Sequence, residues 1–158
     1  MPTYAESYVG RLRKLVGKEK LIIVAVRAVI CDAQGQVLFV RRSDNARWVM
    51  PSGALELGES LFECLQRETR EECGLLVQTA SPMAIYTYPD SLTAYGDPYY
   101  QLSVQFLVDE WEGDLLNQTD ETTQARFFPI KAPPEGVASH YAEVLADLQS
   151  YDGTFILK

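Results

Sequence analysis

Apolar and polar positions change period several times along the chain, and each change predicts an element. Thr3-Tyr4-Ala5-Glu6 has the spacing of a capping box. Tyr8, Val9, Leu12 and Leu15 follow at helical intervals, so the pattern predicts a helix over about residues 3–16, closed by Gly17. Lys20 to Cys31 is rich in Val and Ile and reads as a strand. Asp32-Ala33-Gln34-Gly35 reads as a hairpin turn, with Val37 to Arg41 as the returning strand. A polar loop then runs through Asp44-Asn45 to Trp48. Ser60-Leu61-Phe62-Glu63 is a second capping box, opening a helix that Gly74 ends. Further strands are predicted near Leu75–Gln78, Met83–Tyr88, Tyr100–Val108 and Thr123–Pro129, with Asp90 to Pro98 as a loop and Val137 to Ser150 as a last helix. The chain shows no repeat or linker. Strands intermixed with three helices predict one α/β layered domain with a mixed sheet over residues 1–158.

The helix from Leu61 to Cys73 carries the clearest candidate chemistry. At about 100° per residue, Leu61, Phe62, Leu65, Thr69 and Cys73 form one apolar face. Glu68, Glu71 and Glu72 fall beside that face at i, i+3 and i, i+4 spacing, whereas Glu63 and Arg70 point to solvent. Three neighbouring carboxylates repel one another, and one or more would hold its proton. A hard divalent cation resolves the conflict, since Mg²⁺ takes oxygen ligands and shares them with phosphate. On its own, a Glu-rich helix is more often a solvated face; the residues upstream decide the matter.

Composition narrows the picture further. The 158 residues are 47% apolar and 23% charged, enough to bury a core without covalent staples. The net charge of −8 gives no long-range attraction to duplex nucleic acid, so a phosphate substrate needs local cations. Cys31, Cys64 and Cys73 are too few and too far apart to predict a disulfide framework. Met1 to Lys20 has no signal-peptide core, and Leu21 to Val26 is too short to span a bilayer. A cytoplasmic protein with no membrane partner is the expectation.

Gly53, five residues, Glu59, seven residues, Arg67-Glu68, then Glu71-Glu72, Gly74 and Leu75 together resemble the Nudix box, the signature of the Nudix hydrolase (MutT-like) superfamily. Trp48-Val49-Met50-Pro51 leads into it as in that family. Thr69 and Ser52 depart mildly from the usual pattern. The resemblance implies an α/β/α sandwich around a mixed sheet and hydrolysis of a diphosphate linkage with Mg²⁺, or Mn²⁺ in its place. It implies metal ligation by Gly53, Glu68, Glu71 and Glu72, with Glu71 as a ligand or the base that activates water. Arg67 would orient a carboxylate such as Glu59. Glu121, before the last predicted strand, is a further candidate acid.

Substrate candidates are less sharply defined. Arg27 lies in an aliphatic strand, facing either an exposed edge or a polar pocket. Arg41 and Arg42 alternate, so one of them, taken as Arg42, meets the site. Trp48 and Tyr86, among the aromatics Tyr86, Tyr88, Tyr95, Tyr99 and Tyr100, are candidates to stack a nucleobase, although each is equally suited to the core. His140, the lone histidine, receives no role. Two readings remain open: a diphosphohydrolase acting on a nucleotide sugar, ADP-ribose, a nucleoside triphosphate or a dinucleoside polyphosphate, and a nucleotide-sensing module without turnover. The retained glutamates favour the first. A homodimer follows from the resemblance alone.

Overall fold

A computed structural model describes residues 3–158. Its elements are α1 (Tyr8–Val16), β1 (Leu21–Val29), β2 (Val37–Arg42), β3 (Trp48–Val49), β4 (Ser52–Ala54), α2 (Leu61–Cys73), β5 (Leu76–Leu92), β6 (Pro98–Glu112), β7 (Thr122–Phe128), α3 (His140–Gln149) and β8 (Ile156–Leu157). A five-stranded mixed sheet runs β4-β1-β6-β5-β8, and a smaller antiparallel sheet runs β3-β2-β7. β1 and β6 pair in parallel, β4 pairs antiparallel to β1.

Side chains alternate across a strand, so β1 feeds two cores. Val26, Ala28 and Ile30 pack with Leu38 and Val40 against Cys64, Leu65 and Cys73 of α2. Val29 packs on the opposite side with Phe39, Met83 and Ala84 against Tyr141, Val144 and Leu145 of α3. Full burial of a side chain such as Leu65 contributes roughly 1.5–3 kcal/mol. The result is the expected layered arrangement, with helices on both faces of a mixed sheet.

Helix ends follow the caps. Ser60 accepts from the Glu63 N–H at 3.2 Å, while the Glu63 carboxylate accepts from the Ser60 N–H at 2.7 Å, and Gly74 closes α2 in the left-handed conformation. The first predicted box behaves differently. The Thr3 hydroxyl donates to Glu6 instead of accepting from the backbone, so residues 4–6 form a turn. Ser7 is the true cap, accepting from Gly10 N–H, and α1 starts at Tyr8. α3 starts at His140 and not at Val137, because Pro134 and Gly136, with φ of 78°, hold the preceding residues in a turn.

Two predicted strands merge. β5 is continuous from Leu76 to Leu92, and irregularities in its register absorb the Thr79–Pro82 interruption. The predicted loop at Asp90–Pro98 shrinks to the tight connection over residues 93–97 between β5 and β6. The loop to Trp48 gives way to β3 and β4, short strands that place Ser52 and Gly53 beside β1. Cys31, Cys64 and Cys73 are free thiols. Among the described residues no helix is long and apolar enough to cross a membrane.

Candidate active site

Strand β4 and helix α2 lie against each other, and the contact is made by a glycine for a reason. A Cβ on Gly53 would coincide with the carboxylate of Glu68. Only a residue without a side chain lets that acid sit over the strand. One residue earlier, the Ser52 N–H donates to Glu72 Oε2 at 2.8 Å. The helical spacing read from the sequence thus places Glu68 and Glu72 against one short strand.

Arg67 binds this wall together. Its Nε and Nη2 donate to the two oxygens of Glu59 at 3.0 and 2.6 Å. Its Nη1 donates to Glu68 at 2.6 Å and to Glu71 at 3.4 Å, and Nη2 also reaches the Ala54 carbonyl at 3.2 Å. The fork is bidentate on Glu59, which also accepts from the Glu56 N–H. Burial pushes the Glu59 carboxyl up, but Arg67 and that N–H outweigh it and hold the group below its ordinary value.

The other acids shift the opposite way. Burial raises Glu68 to about 7, against the pull of Arg67. Burial, then the neighbouring Glu68, drives Glu72 well above its ordinary value, and only 1% of this residue is exposed. Glu121 is also raised, by burial first and then by Glu71. Its position is fixed from two sides. Ser43 donates N–H and Oγ–H to the Glu121 carbonyl, each at 2.9 Å, and the next residue, Thr122, donates its hydroxyl to the Glu72 carbonyl at 2.7 Å. Carboxylate oxygens of Glu68, Glu71 and Glu121 consequently lie within 4.8 Å of one another. Arg42 stands beside them, 3.7 Å from Glu72, with its fork held by Asp44.

A cleft of about 580 Å³ joins this acid wall to a second region. Arg27, Arg42, Trp48, Gly53, Glu68, Glu71, Glu72 and Glu121 all border it. Trp48 is half-buried, edge-on to Phe128. Arg27 resolves its ambiguity in favour of the pocket. It is 4% exposed and its guanidinium lies 4.6 Å from the Tyr141 ring centre.

Tyr86 requires a correction. It does not border the cleft; it is buried in the core beneath α3, and its hydroxyl donates to Asp147. The alternation of β5 turns it inward, under the helix. The sequence reading also left His140, Tyr141 and Gln105 without a role. His140 and Tyr141 border the cleft at the start of α3, and the Tyr141 hydroxyl accepts from the Met50 N–H at 3.1 Å. Gln105 is buried beside Arg27 in the parallel β1–β6 register. Its one legible sign was a polar residue amid the apolar β6 run.

Comparison with known proteins places this geometry among relatives. The NUDIX domain family matches residues 21–148. An ADP-ribose pyrophosphatase of Methanocaldococcus jannaschii is 30% identical over 121 residues, 74% of this chain and 68% of that protein. An 8-oxo-dGDP phosphatase of Mus musculus is 27% identical over 135 residues, 82% of this chain but 39% of that protein, so the chain spans about two fifths of its length. Among solved structures, the MutT protein of Bacillus halodurans superposes with a TM-score of 0.66 at 23% identity, over 82% of this chain and 84% of its own. The MutT protein of Methanosarcina mazei gives 0.65 at 22% identity, over 83% of this chain and 95% of its own. At such identities these two likenesses concern the fold.

Proposed function

This chain belongs to the NUDIX domain family, and we propose that it is a Mg²⁺-dependent hydrolase that cleaves the diphosphate linkage of a nucleoside diphosphate derivative. The observation that carries the reading is the meeting of Glu68, Glu71 and Glu121 within 4.8 Å, on the cleft that also holds Arg42. The residues suit a hard cation. All donors are oxygens, three of the acids are raised by burial or mutual repulsion, and Gly53 leaves Glu68 the space a Cβ would fill. Glu68, Glu71, Glu72 and the Gly53 carbonyl would hold the ion, with Glu121 at its edge; Mn²⁺ meets the same requirement.

When bound, the cation supplies neutralisation of phosphate charge and a lower pKa for nearby water. The chain's own residues do the rest. Arg67 fixes Glu59, Glu68 and Glu71 relative to one another. Glu71 accepts the proton of the attacking water as its oxygen bonds to phosphorus. The bond from that phosphorus to the bridging oxygen breaks, and the second phosphate leaves with its electron pair. Arg42 offsets charge that gathers on the phosphate oxygens. The names of the two relatives place ADP-ribose and an oxidised deoxyguanosine diphosphate among the substrates to try.

The test is a panel of ADP-ribose, nucleotide sugars, nucleoside di- and triphosphates and dinucleoside polyphosphates, with Mg²⁺ and with chelator. Turnover of at least one compound is expected, lost with chelator and in Glu72→Gln. Wild type that hydrolyses none of them, or a Glu72→Gln variant at full rate, overturns the reading.

A further inference from the structure

Helix α1 precedes residues 21–148, the segment that matches the family, yet it takes part in the cleft wall. Tyr4 and Ser7 before it and Val9 within it border the same cleft as Glu68 and Glu71. The helix is docked at both ends. Near its C-terminal end, Arg13 Nη2 donates to the Pro98 carbonyl at 2.7 Å, where β6 starts. At its N-terminal end, the Tyr8 N–H donates to Glu56 Oε2 at 2.8 Å, across 48 positions of sequence.

Simple capping logic explains the second contact. The first N–H groups of a helix have no acceptor within it. Ser7 Oγ takes the Gly10 N–H at 3.1 Å, which leaves the Tyr8 N–H for an acceptor outside. The first turn has no acid of its own, so Glu56 supplies the negative charge that a helix N-terminus favours. Glu56 itself sits on the loop between β4 and α2, followed by an exposed Leu57 and by Gly58 at φ of 90°. Its carboxylate ties that loop to α1.

The backbone of the same residue faces the acid wall. The Glu56 N–H donates to Glu59 Oε1 at 2.8 Å. Glu59 in turn receives the Arg67 fork at 3.0 and 2.6 Å, and Arg67 Nη1 donates to Glu68 at 2.6 Å. Hydrogen bonds therefore run without a break from the first turn of α1 through Glu56, Glu59 and Arg67 to Glu68. We infer that Glu56 is a positioning residue, which transmits the docking of α1 to the Arg67 fork and so aligns Glu68 and Glu71 for a cation. The inference rests on the reading of the acid wall as a metal site, and adds that α1 is required for its alignment.

Tyr8→Pro breaks this run without altering Glu56. Tyr8 is the first helical residue, a position where proline's fixed φ and missing N–H suit the helix. Ser7, at φ of −61° and ψ of 159°, already has the extended backbone that a following proline demands. Tyr8→Ala is the reference, since it lacks the ring but keeps the N–H.

The experiment is titration calorimetry of the full chain with Mn²⁺ alone. Tyr8→Pro should bind Mn²⁺ about tenfold more weakly than Tyr8→Ala, the lower end of what the loss of an outer partner of a metal ligand costs. Glu56→Ala should lose a similar factor against wild type. Glu56→Gln, whose amide oxygen still accepts from Tyr8, should lose clearly less. Combining Tyr8→Pro with Glu56→Ala should weaken binding no further than Glu56→Ala does, because both remove one contact. Unchanged Mn²⁺ affinity in Tyr8→Pro overturns the inference, even with a lower melting temperature, since the contact would then serve folding alone. Additive losses in the double variant overturn it too, because Glu56, which borders the cleft, would then act on the cation itself. Melting curves monitor folding. If Tyr8→Pro does not fold, the two Glu56 variants decide: equal losses in both mean that the charge matters and not the contact, which overturns the inference. Binding requires no turnover. A chain whose Mn²⁺ affinity follows this pattern yet hydrolyses nothing sinks the proposed reaction alone. Hydrolysis with equal Mn²⁺ affinity in every variant sinks this inference alone, and wild type that binds no Mn²⁺ sinks the metal site and this inference together.

Discussion

The two ends of the cleft are charged in opposite senses and held in opposite ways. At the acid wall, Glu68, Glu71, Glu72 and Glu121 crowd together, but Arg67, Arg42 and the Ser52 N–H engage three of them directly. At the far end, Arg27 pairs with no carboxylate among the described residues and lies against the Tyr141 ring. One end has a surplus of acceptors and is partly neutralised from within the protein. The other holds a buried guanidinium whose Nε and Nη1 have no hydrogen-bond partner. The difference teaches where each end's missing partner comes from. A cation fits the first, and a group that accepts from Arg27 fits the second.

The largest expected effect lies at the acid wall. Glu72→Gln removes a carboxylate charge from the wall, yet its amide can still accept from Ser52, so the fold should persist. We expect kcat to fall by roughly a hundredfold or more, about 2.7 kcal/mol of barrier. Melting temperature should respond less to added Mg²⁺ than in wild type, since stabilisation follows occupancy. A Mg²⁺-dependent shift of undiminished size in this variant would detach Glu72 from the metal.

Gly53→Ala probes the same end by geometry alone. The new Cβ meets the far end of Glu68, a side chain that can swing aside. Stability should therefore change by less than about 1 kcal/mol, while the displaced carboxylate costs on the order of tenfold in kcat/KM. A variant that unfolds would show that the strand–helix contact, and not the acid, requires the glycine.

These two ends were unequally legible in the sequence. Glu68, Glu71 and Glu72 lie on one helix, so their convergence follows from spacing within a single element. The caps Ser60 and Gly74 marked where that element begins and stops. Glu121 joins them through Ser43 and Thr122, contacts between segments far apart in the chain, and only its family position suggested it. The far end of the cleft joins Arg27 of β1 to His140 and Tyr141 of α3. No local period encodes such a meeting, so Gln105 and His140 went unassigned and Tyr86 was chosen where its neighbour Tyr88 faces Arg27. The strand boundaries failed for a related reason: bulges in β5 are set by pairing with β6, which local propensity does not register.

Tyr86→Phe sharpens the boundary of the pocket. It deletes the hydroxyl that donates to Asp147, a carboxylate also held by Lys158. A hydrogen bond to a charged group implies a loss of roughly 1.5–3 kcal/mol, measurable by denaturant unfolding. Base preference and KM should stay at wild-type values, because the ring lies under α3 and away from the cleft. A change in base preference would return Tyr86 to the site.

The smallest effect concerns the protonation of His140, whose ring contacts Tyr88 and Tyr141 and whose charged neighbour is Arg27. Burial and Arg27 lower its pKa from 6.5 to about 4. Between these values the unfolded chain binds a proton that the folded one refuses, so stability present above 6.5 is lost as pH falls toward 4. His140→Phe keeps a ring in place and removes this linkage, while the surrounding carboxylates titrate alike in both proteins. Stability of the variant should therefore fall less steeply over that window. Equal slopes would mean that the folded chain protonates His140 near 6.5 as the unfolded one does, so that a second cation joins Arg27 only below that pH. This small difference in slope thus bears directly on how far the two ends of the cleft differ.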